Sequence, residues 1–327
     1  MIIARSPLRI SLGGGGTDLP SYYNKHSGFV ISAAINKYVY INLMETFYNG
    51  ILLKYSKTEM VKNINKIQHP IIRETLKYFK IKNPKLEITS FADVPSGTGL
   101  GSSGSFTTAL IKALMLHKKQ QLSQIELSEL ACHIEIDKLS EPIGKQDQYI
   151  AAFGGLTSFS FLENNKVISE SVKISENKLH ELQENLLLFF TGFSRKASSI
   201  LFTQNVKSKK NDLDMINNLH YVKNLGFQIQ KALIRGNIKL FGELMREHWE
   251  YKKKRSSKMT NPKIDEWYNL AIKNGAIGGK LIGAGGGGFL MFVAHNKDLL
   301  RKTMKKEGLQ ELHFKFDFEG TKIIMNS

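Results

Sequence analysis

A single cysteine in 327 residues leaves no partner for an intramolecular disulfide and no thiolate set for a zinc cluster. Cys132 falls on an apolar helical stripe and reads as a small core residue. The nine histidines show neither HxxxH nor HExxH spacing, so a zinc site built on them is not expected. No apolar run approaches the ~18 residues needed to span a bilayer. Met1-Ile-Ile-Ala reads as a strand that meets Arg5 and Arg9 at once, so no signal peptide is read and a cytoplasmic protein is expected. Acidic residues are scarce too: 29 Asp and Glu face 46 Lys and Arg, a formal charge of +17. Such an excess can serve nucleic acid, an anionic surface or phosphorylated substrates. Here most of it is lysine scattered along helices, with dense clusters only at 207–210, 252–255 and 301–306. The reading is a solvated basic surface rather than a nucleic-acid site, with attraction of anionic substrates as a by-product.

The material for a core is ample. Hydrophobic residues make up 42% of the chain, and the length suggests two domains. Residues 1–55 read as strands; 38–44 alternates and 51–55 follows a Tyr-Asn-Gly turn, which predicts a hairpin. A short helix is expected over 69–79, a strand over 86–91 and a helix over 106–117. Ser123-Gln-Ile-Glu126 is a capping box opening a helix that runs to about Lys138. Past the Gly154-Gly155 break, 156–161 and 167–172 read as paired strands. The second half reads as helix 175–185, buried strand 186–190, and helices over 196–209, 213–236 and 238–254. Pro262 occupies a helix N1 position before 264–274. A strand, a glycine run, the apolar strand 289–293, a helix and a last strand near 312–316 complete the pattern. Trp249 and Trp267 fall at helical intervals and read as core.

Between the strand at 86–91 and the helix at 106–117 lies Pro95-Ser-Gly97-Thr-Gly99-Leu100-Gly101-Ser102-Ser103-Gly104-Ser105. Strand, glycine loop, helix is the arrangement in which backbone N–H groups converge on an anion. Its serines can reach a metal ion or phosphate oxygens. The loop lacks the lysine of GxxxxGK[ST] and carries GxGxG instead of GxGxxG, so nicotinamide binding is poorly supported. A serine-capped turn is the plain alternative. Two further glycine runs, 13–16 and 283–288, are hard to explain as turns alone.

Together these stretches resemble the GHMP kinases, the superfamily of galactokinase, homoserine kinase, mevalonate kinase and phosphomevalonate kinase. Pro95-x-Gly97-x-Gly99-Leu100-Gly101-Ser102-Ser103 is similar to the family's central motif. Arg5-Ser-Pro-Leu-Arg9 through Thr17-Asp18 resembles its first motif, and Lys280-Leu-Ile-Gly283 through Gly288 its third, in family order. Within the family, the Gly-Gly-Gly-Thr-Asp-Leu-Pro and Ser-Glu-Pro-Ile-Gly-Lys-Gln-Asp147-Gln stretches look most like heptose 7-phosphate kinases. The resemblance implies an α+β, two-domain fold: a ribosomal-S5-like ATP-binding domain over 1–170 and a ferredoxin-like domain over 171–327. It implies ATP and Mg²⁺, with Pro95 through Ser105 on the nucleotide, Ser103 and Glu135 on the metal, and Asp147 and Arg9 as catalytic residues. It further implies an acceptor site drawing on Gly14, Gly15, Gly16, Thr17 and Asp18. Lys145 and the 191–196 turn with Arg195 and Lys196 are candidates for a distal phosphate, and Gly285 and Gly286 for closing the floor of the site. Adenine contacts are expected from loops between 54 and 68.

Each of these has a plainer reading. Glu135 can be a solvated helix-face acid, Asp147 a turn cap and Asp18 a helix N-cap. Arg9 can lie on a strand surface, and the 191–196 turn can be an ordinary strand–helix connection. Where galactokinase-like members carry Glu-His before Thr-Asp, this chain has Gly15-Gly16, which suggests an acceptor longer than a hexose and already phosphorylated. The reaction so implied is transfer from ATP to the anomeric hydroxyl of D-glycero-D-manno-heptose 7-phosphate. Rivals are a fucokinase-like or isoprenoid-pathway kinase, and an RNA-binding S5-like module. Neither a nucleic-acid nor a membrane partner is expected, and a homodimer is left open.

Overall fold

The computed structural model describes residues 1–327 except Asn83, Arg195 and Lys196. The first half runs β1 (Ile2–Gly13), α1 (Pro20–His26), β2 (Gly28–Glu45), β3 (Gly50–Lys54), β4 (Thr58–Val61), α2 (Pro70–Tyr78), β5 (Lys85–Ala92) and α3 (Ser102–His117). It continues with α4 (Gln124–Cys132), a π-helical turn at His133–Lys138, α5 (Gln146–Phe153), β6 (Leu156–Phe161) and β7 (Val167–Ser171). The second half begins with α6 (Glu176–Asn185), β8 (Leu186–Phe190), α7 (Ala197–Lys209), α8 (Leu213–Ile234) and α9 (Ile238–Lys253). Then follow α10 (Pro262–Lys273), β9 (Ala276–Leu281), β10 (Phe289–Ala294), α11 (Lys297–Lys306), β11 (Gln310–Glu311) and β12 (Lys322–Asn326).

Two sheets result. The first has the order β12-β1-β2-β5-β3-β4, with β6 on the other end of β2 and β7 beside β6. The second is antiparallel, β11-β8-β10-β9. The 18-residue β2 is wholly buried over its first eight residues and mixed beyond them, as expected where helices cover both faces of only part of a sheet. α3 and α5 pack on β1 and β2 from one side, and α8 reaches the same strands. One core joins Leu8, Ile10 and Leu12 of β1 to Leu225 and Ile229 of α8, Phe241 and Met245 of α9, and Met291 of β10. A second core holds Trp249, Trp267, Tyr268 and Phe292 under the second sheet. Cys132 is buried, with its thiol pushed well up by burial.

Three expectations need correction. The predicted hairpin does not form: β5 inserts between β2 and β3, antiparallel to the first and parallel to the second. The turn's backbone groups go to that intruder, with Thr46 N–H donating to Lys85 and Gly50 N–H to Pro84. Residues 20–26, within the stretch read as strands, form a helix with Pro20 in its first turn. The last strand is β12, not 312–316. That alternating segment buries Phe316, yet its backbone is satisfied piecemeal: Lys315 N–H donates to the Asn36 side chain and Phe316 N–H to that of Gln183. β12 then pairs with β1, so the chain's last strand lies in the first sheet. Among the described residues no helix is long and apolar enough to cross a membrane.

Candidate active site

The central loop turns through three left-handed glycines, Gly97, Gly99 and Gly101, and delivers the chain into α3 at Ser102. The α3 terminus thus offers unpaired N–H groups and a positive dipole end. Both face an outer cleft of about 570 Å³ lined by Ser96, Gly97, Gly99, Gly101, Ser102 and Ser103, and on the far side by Gly285 and Gly287. The third glycine run is built for contact. A Cβ on Gly283 would stand 2.5 Å from Gly99 Cα, so the two loops pack backbone to backbone. Instead of residues 54–68, Pro70 and Ile71 at the start of α2 line this cleft.

Arg9 and Asp147 stand where the outer cleft meets a second, inner cavity; both residues line both spaces. Arg9, 4% exposed on β1, grips the carboxylate in two places, Nε to Oδ1 at 2.8 Å and Nη2 to Oδ2 at 2.7 Å. Its Nη1 donates to Gly99 O at 2.5 Å, so one guanidinium ties the carboxylate to the phosphate-type loop. Asp147 sits in the first turn of α5, a favourable end for a negative charge. Two of its roughly four lone-pair positions remain free for a hydroxyl.

Glu135 comes from the π-helical turn, the kind of irregularity often found at functional positions. It is 2% exposed and takes a hydrogen bond from Gln148 Nε2 at 2.9 Å. Burial pushes its carboxyl up to about 7, with the Gln148, Ser103 and Thr107 side chains opposing and Asp147 adding. Among the described residues no three His, Cys, Asp or Glu side chains converge as a metal cluster. Two hard oxygen donors, the Glu135 carboxylate and the Ser103 hydroxyl beside it, nevertheless fit a cation whose remaining ligands are phosphates and water, as Mg²⁺ prefers.

The inner cavity, about 90 Å³, is walled by Ser11, Gly15, Gly16, Asp18, Gly144 and Gln146 from the first half of the chain. Gln204, His248, Lys252, Arg255 and Lys280 close it from the second. Asp18 is buried and accepts from Gly16 N–H at 2.9 Å and Gln146 N–H at 3.2 Å; burial and then Asp147 raise its pKa. Gly144 is obligatory, because a Cβ there would lie 1.8 Å from Asp18 Oδ2. The N-cap of α1 is Leu19, so Asp18 does not cap that helix. The space beside Gly16 is already taken: a Cβ there would meet Arg255 Nη1 at 2.5 Å. Removing the side chain at 16 therefore admits a guanidinium.

Several predicted contacts fall elsewhere. Lys145 lines neither space; its ammonium is held by Glu129 at 2.9 Å. Thr17 is fully buried, its hydroxyl donating to Gly14 O or Phe29 O at 2.9 Å. Gly14 presses against Phe29 O, so both residues lock the first glycine run onto β2. Ser105 turns inward to Pro7 O at 2.7 Å. Gly104 packs on the α5 start and Leu100 on the core. Pro95 O accepts from Thr98, and Gly286 N–H donates to Met259 O; neither residue lines the cleft. Arg195 and Lys196 lie outside the described residues.

The sequence reading missed the cations of the inner cavity, placing 252–255 on a solvated surface. Lys252 is 7% and Arg255 3% exposed. The available signal was helical phase: Phe241, Met245, His248, Lys252 and Arg255 step by four and three residues along one face. That face is the buried one.

A nucleotide-sized cleft with a glycine loop at a helix start, joined through an Arg-Asp pair to a second cavity, defines a small-molecule phosphotransferase. The profile of the GHMP kinases N terminal domain matches residues 65–155, and that of the GHMP kinases C terminal domain matches 229–306. The chain is 32% identical over 334 residues to a D-glycero-alpha-D-manno-heptose 7-phosphate kinase from Campylobacter jejuni, covering 98% of each. It is 25% identical to a galactokinase from Thermococcus kodakarensis, covering 89% of each. The crystal structure of a D-glycero-D-manno-heptose 1-phosphate kinase from Bacteriodes thetaiotaomicron aligns over 100% of both chains with a TM-score of 0.82 at 26% identity. This chain belongs to the GHMP kinases and is a kinase acting on an alcohol group.

Proposed function

We propose that the chain transfers the γ-phosphoryl group of ATP to the anomeric hydroxyl of D-glycero-D-manno-heptose 7-phosphate, yielding the 1,7-bisphosphate. The observation that carries this reading is the meeting of two unlike spaces at Asp147. One presents helix N-terminal amides and serines; the other is a smaller cavity rich in buried cations.

Phosphoryl transfer asks the protein mainly for positioning and charge stabilisation. In this reading the central loop amides and Ser102 hold the nucleotide's phosphates in the outer cleft. Ser103 and Glu135 would hold Mg²⁺, which when bound neutralises charge on the β- and γ-phosphates. Asp18 accepts hydrogen bonds from the sugar and fixes its orientation. Asp147, held in one pose by Arg9, accepts the proton of the attacking hydroxyl. The remaining N–H groups of Arg9 face the charge that builds on the transferring group. At about 90 Å³ the inner cavity is smaller than an ordinary ligand pocket of ~300–1,000 Å³, so its walls part to admit the sugar.

One neighbour's name places the acceptor phosphate at C1 instead of C7, and that is the second reading. A coupled ADP-release assay over heptose 7-phosphate, heptose 1-phosphate, galactose, fucose and mevalonate separates the alternatives, with ³¹P NMR locating the new ester. Heptose 7-phosphate is expected to give the highest kcat/KM, with the new ester on the anomeric oxygen. Asp147→Asn is expected to lower kcat by ~10²–10⁴-fold with ATP affinity kept. Preference for galactose or fucose, or full turnover by the Asn variant, would refute the reading.

A further inference from the structure

Three buried cations besides Arg9 line the inner cavity. Lys280 is 2% exposed, Arg255 3% and Lys252 7%, with His248 at 1% beside them. Their hydrogen bonds to the protein are incomplete. Among the described residues Lys280 Nζ donates only to Leu12 O at 3.1 Å, and Lys252 Nζ to Leu281 O at 2.8 Å and Gly283 O at 2.5 Å. An ammonium has three donors, so about three N–H groups remain between them. Arg255 gives Nε to Asn218 and Nη1 to Gly15 O. Its Nη2, like both ring nitrogens of His248, is buried and without a partner among the described residues.

The charge balance points the same way. Arg9, Lys252, Arg255 and Lys280 line the cavity against Asp18 and Asp147 alone, four positive against two negative. Burial first, and then the neighbouring cations, pull the pKa values of Lys252 and Lys280 well down. Arg255 falls to about 10 through burial, opposed by Asp18. An uncompensated buried ion costs several kcal/mol, so this cluster does not serve stability. Such a concentration of unmet donors and like charge inside a cleft marks a site for an anion. The fold also makes room for it, since Gly16 leaves the space that Arg255 Nη1 fills.

We propose that Lys252, Arg255 and Lys280, flanked by His248, bind the phosphate that the acceptor itself carries. The proposal rests on the acceptor being a sugar phosphate. The formal excess of two positive charges, reached when a bound anion keeps both lysines protonated, matches a phosphate monoester, whose charge at pH 7 is about −1.5 to −2. The cavity that holds the hydroxyl at Asp147 thereby also rejects unphosphorylated sugars, because without the phosphate its cations stay unpaired. Selection for a phosphorylated acceptor thus falls to residues of α9, the turn after it, and β9, in place of the 191–196 turn or Lys145.

Two measurements test it. In the first, Lys280→Met and Arg255→Lys are compared with the wild type by kcat/KM for a heptose phosphate over kcat/KM for the unphosphorylated heptose. That ratio is expected to fall ~10–100-fold in Lys280→Met, the scale of one lost charge-assisted hydrogen bond, mostly through KM. Arg255→Lys, which keeps the charge, is expected to lose less. An unchanged ratio in both variants overturns the proposal. In the second, inorganic phosphate is titrated against wild type and Lys280→Met by calorimetry. Phosphate is expected to bind the wild type competitively with the acceptor but not with ATP, and to bind the variant at least ~10-fold more weakly. Equal binding overturns the proposal. If phosphate binds and the variant loses it, yet no heptose phosphate is turned over, the choice of sugar fails while the anion site stands. A thermal melt adds a readout that a structural role would reverse: Lys280→Met, by removing a buried charge, is expected to melt no lower than the wild type.

Discussion

Glu135 has a chemistry that its appearance in the sequence does not show. In the folded chain its carboxyl is raised to about 7 from an ordinary 4.5, chiefly by burial. Between those values the folded protein holds a proton that the unfolded chain has released. The stability so gained is full below about 4.5 and is lost as pH rises through about 7, an effect of at most ~3 kcal/mol. In chelator-treated protein, Glu135→Gln is therefore expected to flatten the fall of Tm across that window and to melt higher than the wild type above it. Parallel Tm–pH curves would contradict this account of Glu135. Single residues were unevenly legible. Arg9, Asp18 and Asp147 belong to recognisable motifs and Glu135 follows from the family resemblance; the structure gathers all four around two adjoining spaces. Lys252 and Arg255 belong to lysine-rich surroundings and Lys280 opens the third glycine motif; the burial of all three follows from α9 and β9 closing over the first glycine run. Thr17 and Ser105 show the converse: residues inside a motif whose hydroxyls serve only the backbone.

At the scale of elements, the glycine runs act as interlocking surfaces as well as anion cradles. Gly283 meets Gly99 so closely that a methyl would lie 2.6 Å from the Gly99 carbonyl oxygen, at a φ of +75°. Gly283→Ala is expected to cost about 1–2 kcal/mol from the left-handed backbone alone, with the clash added, and to weaken nucleotide binding by displacing the central loop. Urea denaturation and nucleotide titration check this; an unchanged midpoint with unchanged affinity would show that the loops do not support each other. Most helices and strands were legible because period, caps and prolines mark them locally, as at the Ser123–Glu126 capping box. Strand partners were not. Alternation identifies β2 and β3 as strands but is silent on β5 coming between them. The pattern at 312–316 marks burial in a crossing between sheets as well as it would mark a ladder.

Across the whole molecule, the two sheets are tied together by the chain's return to the first and by a shared core. β12 returns to β1, and α8 and α9 share a core with the first sheet. The inner cavity takes both its acids from the first half and three of its four Lys and Arg side chains from the second, so neither half forms it alone. Most of the charge of +17 lies on the surface, while Arg9, Lys145, Lys252, Arg255 and Lys280 are buried. In the proposed reaction nucleotide and acceptor occupy the two spaces and meet at Asp147. A crystal structure with a non-hydrolysable ATP analogue, Mg²⁺ and heptose 7-phosphate tests this most directly. It is expected to show the triphosphate on the central loop, the anomeric hydroxyl within hydrogen-bond reach of Asp147, and the sugar's phosphate against Lys252, Arg255 and Lys280. A nucleotide seated in the inner cavity, or an acceptor hydroxyl out of reach of Asp147, would contradict it.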